Sequence, residues 1–209
     1  MMPHRDLLQR FRENAEAVSA VVRTVASPRE AMAYAVDLCD RKEACQLLVA
    51  GCEESLSPPA ADLCETKQAK TIAAPGLAAP EQEILSGLSD ARGIRLVDHA
   101  LRSHLAGIDI GLTYADFGIA ETGTLVIDSR SEDLRLATMI SEIQIAVLPL
   151  SRLRESSYEV EADLRARMGR APDYTAFITG ASRTADIERV LALGVHGPLE
   201  LHILIREDA

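Results

Sequence analysis

Tryptophan is absent from this chain of 209 residues, and aromatic residues make up only 3% of it. Its core must therefore be filled by Ala, Leu, Ile and Val, the usual material between a sheet and its covering helices. No apolar run approaches the roughly 18 residues needed to cross a bilayer, and the opening MMPHRDLLQR lacks the apolar centre of a signal peptide. A cytoplasmic protein without a membrane partner is the expectation. Basic residues are in deficit, 22 Lys and Arg against 32 Asp and Glu, and the net charge of −10 repels phosphate backbones, which argues against nucleic acid as a partner. Cysteine pairs of the CxxC type are missing. Cys39, Cys45, Cys52 and Cys64 are separated by five or more residues with no His close by, poor spacing for zinc or an iron–sulfur cluster, so they read as reduced thiols. No strand is followed by GxGxxG and there is no P-loop. With no cofactor expected in this chain, any redox role must borrow its electron carrier.

What is present is a 47% hydrophobic chain long enough for one sizeable core. Apolar residues at three- and four-residue steps predict an amphipathic helix over 6–25, with a short extended piece at its far end. Ser27, Pro28 and Glu30 resemble an N-cap opening a second helix to about Asp40. Short apolar runs at 46–50, 71–74 and 94–97 read as strands, with helices at 59–67 and 80–87 between them. Strands follow at 108–114 and 124–128, joined by a tight glycine-containing connection. A helix over 133–140 then leads into 143–148, a nearly unbroken apolar run and the best candidate for a central buried strand. Residues 149–157 read as a loop and 159–168 as a surface helix. The chain closes with a strand at 174–179, a short helix at 184–193 and a strand at 199–205. Alternation of strand and helix predicts an α/β fold with a mostly parallel sheet flanked by helices. Residues 1–40 are expected as a helical segment packed on a domain formed by 41–209.

Three segments carry chemistry. In AETGT at 120–124, Gly123 frees the backbone for positive φ, and turn N–H groups beside the Thr122 and Thr124 hydroxyls suit an anion. Glu121 at the rim is placed to act as acid or base, although a tight turn with a solvated carboxylate explains the same residues. In GASRTADIE at 180–188, Ser182 or Thr184 is placed as an N-cap, with Asp186 and Glu188 in the first turn, where a helix dipole favours them. Arg183 at the strand end is a receiver for carboxylate or phosphate. In GVHGPLELH at 194–202, His196 is held in a turn beside Gly197 and is suited to shuttle a proton, whereas His202 lies within a strand on the face of Glu200 and reads as structural. Arg135 in SEDLRLATMI is placed to reach the same pocket, a surface ion pair being the alternative.

Together, AETGT at 120–124, SRTADIE at 182–188 and GVHGP at 194–198 resemble the signature segments of the LUD domain, specifically the lactate utilisation protein C (LutC/YkgG) family. The likeness is strong over about 105–205. It implies a NagB/RpiA/CoA-transferase-like α/β fold and one member of a three-part system converting L-lactate to pyruvate, whose partners carry iron–sulfur clusters. It places motif residues on Glu121, Thr122, Gly123, Thr124, Ser182, Arg183, Thr184, Asp186, His196 and Gly197. Two departures stand out: Ala181 replaces a common Pro, and MISEIQ at 139–144 replaces a stretch containing Pro and His.

The leading expectation is an accessory or substrate-handling subunit of a lactate-oxidising complex, with the 122–124 turn and Arg183 holding a small carboxylate and Glu121 or His196 managing its proton. One alternative is a self-sufficient enzyme acting on a small acid, phosphosugar or CoA thioester, with Glu121 as base or nucleophile. Another is a non-catalytic, small-anion-binding regulatory module.

Overall fold

The computed structural model describes residues 4–42, 69–104, 107–168, 174–184, 192–193 and 197–208. Helix α1 (His4–Ala17) presents Phe11 and Ala15 to the core, and ends well before the predicted helix boundary. A turn through Ser19, at φ 67°, then delivers the chain into strand β1 (Ala20–Val25). The extended piece foreseen at the far end of that helix is thus a full strand. Helix α2 (Pro28–Arg41) begins as its capping signals predict: the Ser27 hydroxyl accepts from the Glu30 N–H at 3.2 Å, and the Glu30 carboxylate accepts from the Ala26 N–H at 2.7 Å.

Strand β2 (Thr71–Ala73), helix α3 (Ala79–Asp90), strand β3 (Arg95–Val97) and strand β4 (Ile108–Tyr114) follow in the alternation expected. After β4 come β5 (Phe117–Ile119), β6 (Thr124–Asp128), helix α4 (Glu132–Met139) and strand β7 (Ser141–Pro149). The chain continues through β8 (Leu153–Arg154), helix α5 (Glu161–Arg167), β9 (Thr175–Ile178), β10 (Arg183–Thr184), β11 (Ala192–Leu193) and β12 (Glu200–Arg206). The strand expected at 46–50, the helix expected at 59–67, and Cys45, Cys52 and Cys64 lie outside the described residues. Cys39 is buried in the core.

Six strands form a sheet in the order β1-β12-β7-β4-β2-β3, and every neighbouring pair runs parallel. The apolar run at 143–148 does occupy a central strand, between β12 and β4. Ile143, Ile145 and Val147 face α2 and α3 in one core cluster, while Ala146 and Leu148 face α1 in another. Burial on both faces is what a parallel strand requires, and each fully buried aliphatic contributes about 1.5–3 kcal/mol. Residues 4–40 do more than lay helices against this sheet, because β1 forms its edge by pairing residue for residue with β12 from Ala20↔Leu201 to Val25↔Arg206.

Three local readings of the sequence need correction. The connection between β4 and β6 contains β5, which pairs antiparallel with β6. The stretch 149–157, read as loop, contains β8. Together with β9 these build a second, four-stranded mixed sheet in the order β8-β5-β6-β9. Strands of two or three residues are too short to show a periodicity of two, which is why the sequence hides them. The helix expected at 184–193 begins and ends instead in extended backbone, since Arg183 and Thr184 pair antiparallel with Leu193 and Ala192. Residues 185–191 lie outside the described set. Ser182 is accordingly no helix cap, and its N–H donates to the Pro198 carbonyl at 3.0 Å.

Candidate functional site

The last turn of α1 is the point at which two of the motif segments come together. A Cβ built on Gly123, whose φ is 64°, would stand 2.3 Å from the Ala15 nitrogen. One built on Gly180, at φ 74°, would stand 2.1 Å from the Val18 carbonyl oxygen. Both positions demand glycine twice over, for the left-handed backbone and for the space. The Asn14 amide fastens the first turn by donating to the Ala120 carbonyl at 2.7 Å and the Glu121 carbonyl at 3.1 Å. The two turns also hold each other, through a chain of hydroxyls in which Thr122 lies 2.7 Å from Thr124 and Thr124 lies 2.7 Å from Thr179. The third segment joins at Ser182, whose N–H meets Pro198 and whose side chain a Gly197 Cβ would approach to 3.1 Å.

Beside this junction lies a pocket of about 350 Å³. Its polar lining comes from Ser129, Arg135, Thr138, Gln144, Thr179 and Ser182, and Gly180, Ala181, Gly197 and Pro198 supply backbone walls. Met139, Phe177 and Leu201 make the apolar side. The Arg135 guanidinium is held by the carbonyls of Ser129 at 2.7 Å and Arg130 at 3.0 Å and stacks over the Tyr174 ring at 4.6 Å. It is therefore a fixed cation rather than a mobile surface arginine. Gln144 is 1% exposed, and its Nε2 has no hydrogen-bond partner among the described residues. A buried amide without an acceptor costs about 1–3 kcal/mol, so Nε2 marks a place where a polar partner is expected.

Of the residues singled out in the sequence, Arg135, Ser182 and Gly197 line this pocket, and Thr124 reaches its wall through Thr179. Glu121 and Thr122 are exposed on the adjoining turn and are not among the lining residues, nor is the exposed Arg183. Thr184 is described only as backbone in β10, and Asp186 and His196 lie outside the described residues. Sequence reasoning missed Gln144, Thr179, Ser129 and Thr138. For Gln144 a signal existed: a lone amide interrupts the apolar run IQIAVL of a strand buried on both faces.

The pocket opens at the starts of β7 and β12, not at the carboxyl ends of a parallel sheet, where ligands commonly sit. The end of β9 and the turn before β12 make it. Among the described residues no group of three or more His, Cys, Asp or Glu is arranged to hold a metal ion, and no helix is long and apolar enough to cross a membrane.

The same strand starts carry a second polar cluster. The Lys42 ammonium lies 3.0 Å from Asp109 and 2.5 Å from Glu142, with all three side chains at most 5% exposed. Asp109 also accepts from the Thr71 N–H at 2.7 Å. Burial alone would lower the Lys42 pKa, but hydrogen bonds to Glu142 and Asp109 and their charges outweigh it and raise the value above 10.5.

Lactate utilization protein C of Halalkalibacterium halodurans is 40% identical over 119 residues, which are 56% of this chain and 50% of that protein. Lactate utilization protein C of Shouchella clausii is 34% identical over 102 residues, 48% of this chain and 44% of that one. Protein YkgG of Escherichia coli strain K12 is also 34% identical over 102 residues, 47% and 44% of the two chains. These aligned stretches span about half the length of the curated relatives. The crystal structure of a DUF162 family protein from Deinococcus radiodurans shares the fold, with a TM-score of 0.60 at 19% identity and 99% of each chain covered. The family model described as LUD domain matches residues 8–205, and the chain belongs to the LUD domain family.

Proposed function

We propose that this chain serves lactate utilisation as a substrate-handling subunit, holding a small carboxylate in the pocket beside the Thr179–Ser182 turn. The observation that carries the reading is the convergence of Arg135 and Gln144, on a helix and the strand that follows it, with the distant Ser182 on one pocket of about 350 Å³. Arg135 supplies a fixed charge for the carboxylate. The unpartnered Gln144 amide offers a donor to a second oxygen, and Ser182 a hydroxyl at the rim. The names of the curated relatives point to lactate as the acid.

Oxidation of lactate to pyruvate releases two electrons and two protons. In this reading the electrons leave through iron–sulfur clusters of partner proteins. The hydroxyl chain from Thr179 to Thr122 links the pocket wall to the turn bearing Glu121, a path along which a proton can pass. His196 is the second proposed proton carrier.

The test is co-purification of the chain from its native cells, followed by assay of L-lactate-dependent dye reduction. Iron–sulfur proteins should accompany it, and activity should require both them and this chain. Arg135→Gln should lower activity of the mixture while the complex still assembles. Complete oxidation of lactate by the isolated chain, or undiminished activity of the mixture without it, would overturn the reading. A covalent adduct trapped on Glu121 would instead favour a self-sufficient enzyme.

A further inference from the structure

His202 sits on β12, 5% exposed, with both ring nitrogens engaged: Nδ1 is 2.7 Å from the Tyr34 hydroxyl and Nε2 is 2.8 Å from the Glu200 carboxylate. With Nε2–H donated to the carboxylate, Nδ1 of a neutral imidazole is left to accept the Tyr34 O–H. This is the order of an oriented base behind a hydroxyl: the acid fixes the imidazole, and the imidazole draws on the phenol proton. Packing alone does not require three such groups from α2 and β12 in line.

The relay borders a pocket of about 530 Å³, separate from the one described above and on the other face of the sheet. Strand alternation places it there, since Ile143 and His202 point to one face and Gln144 and Leu201 to the other. Its floor is the buried Lys42–Glu142 pair. At its mouth are two guanidiniums, Arg23 from β1 and Arg41 from α2. Among the described residues, Arg23 makes no hydrogen bond or ion pair and Arg41 uses only its Nε, on the Asp37 carbonyl. With Lys42 they set three cations against the Glu142 and Glu200 carboxylates in the pocket lining, a local reversal of sign in a chain with a net charge of −10.

We infer that this cleft is a second binding site, for a small oxyanion, with Arg23 and Arg41 holding the charge and the Tyr34 hydroxyl meeting a protic or carbonyl oxygen of the ligand. A hydroxyl on the ligand would donate to the Tyr34 oxygen while the phenol proton turns to Nδ1. A ligand carbonyl would receive the phenol proton once the imidazole is protonated. Tyr34 thus stays hydrogen-bonded in either protonation state, a property of a relay rather than of a sealed core contact.

The test uses the full chain labelled with nitrogen-15, titrated separately with inorganic phosphate and with acetate while backbone amide and histidine ring signals are followed. Either anion should move the signals of Arg23, Tyr34 and His202 along a saturable curve, and the stronger of the two identifies the source as phosphate or carboxylate. The double variant R23Q/R41Q, altered at exposed positions, should weaken that binding about tenfold or more. Tyr34→Phe should keep the backbone shifts and lose the movement of the His202 ring signals. If neither anion moves these signals, or if R23Q/R41Q binds within about twofold of the parent chain, the site does not exist. Shifts confined to Gln144, Thr179 and Ser182 would report the first pocket instead and would equally count against the inference.

Discussion

The six-stranded sheet has a nine-residue strand at its centre, with side chains buried on both faces, whereas the four-stranded sheet is assembled from strands of two to five residues and leaves Phe177 52% exposed. The first spends its residues on packing and meets its buried charges with opposite charges, as at Lys42, Asp109 and Glu142. The second spends its residues on turns, and those turns carry two of the three motif segments. A long parallel strand offers few free polar groups to a ligand, because neighbours use its backbone and the core uses its side chains. A short antiparallel hairpin delivers a turn, with unused donors, wherever its ends are anchored. The contrast implies that damage to the large sheet removes the fold, while damage to the small one removes the site and leaves most of the fold standing.

Changes in the large sheet should have the largest effects. Lys42→Met leaves two buried carboxylates facing each other and should cost about 3–5 kcal/mol in urea unfolding. A loss under about 1 kcal/mol would mean that the triad does not hold the strand starts together. The raised Lys42 pKa adds a sign: its stabilisation is complete below 10.5 and drains as pH rises through the higher folded value, so stability should fall on the alkaline side in the parent but less in Lys42→Met. Ile145→Ala, at a fully buried position of β7, should cost about 2–5 kcal/mol with one cooperative transition. A second, earlier transition would show that the sheets unfold separately and would sharpen the contrast.

The small sheet should respond differently. Gly123→Ala forces a side chain into left-handed backbone against the end of α1 and should cost about 1–3 kcal/mol while abolishing lactate-induced thermal stabilisation. Retention of that stabilisation would separate the turn from the pocket. Thr124→Val breaks the hydroxyl chain at its middle and should cost only about 0.5–1.5 kcal/mol, with activity of the reconstituted mixture falling more than its affinity for lactate. An equal fall in both would point to lost positioning in place of a lost proton path.

The large sheet was legible because long apolar runs and capping residues announce it. Ser27 with Pro28 and Glu30 marked the start of α2, and IQIAVL marked β7 as central. Segments 120–124, 180–188 and 194–198 were legible as motifs, and among the described residues they are linked through Thr124 and Thr179 and through Ser182 and Pro198. Their geometry was not legible, since it depends on β5 and β8, too short to have a period, and on pairings between residues far apart, such as Thr124 with Thr179. Gln144 was hidden by its own surroundings: within an apolar run its one amide counted as an exception, yet burial makes that amide informative. His202 and Glu200 were correctly read as sharing a face, but the third member of the relay, Tyr34, comes from a helix 168 positions away.

The contact of Ala15 and Val18 with Gly123 and Gly180 bears on how such chains are recognised and cut. All three signature segments lie after residue 119, and a fragment starting beyond Ser19 would display every one of them to a motif scan. It would still lack the shoulder on which two of its turns rest. Ligand affinity in any excised piece should therefore track the presence of that leading helix more closely than the presence of the signatures themselves.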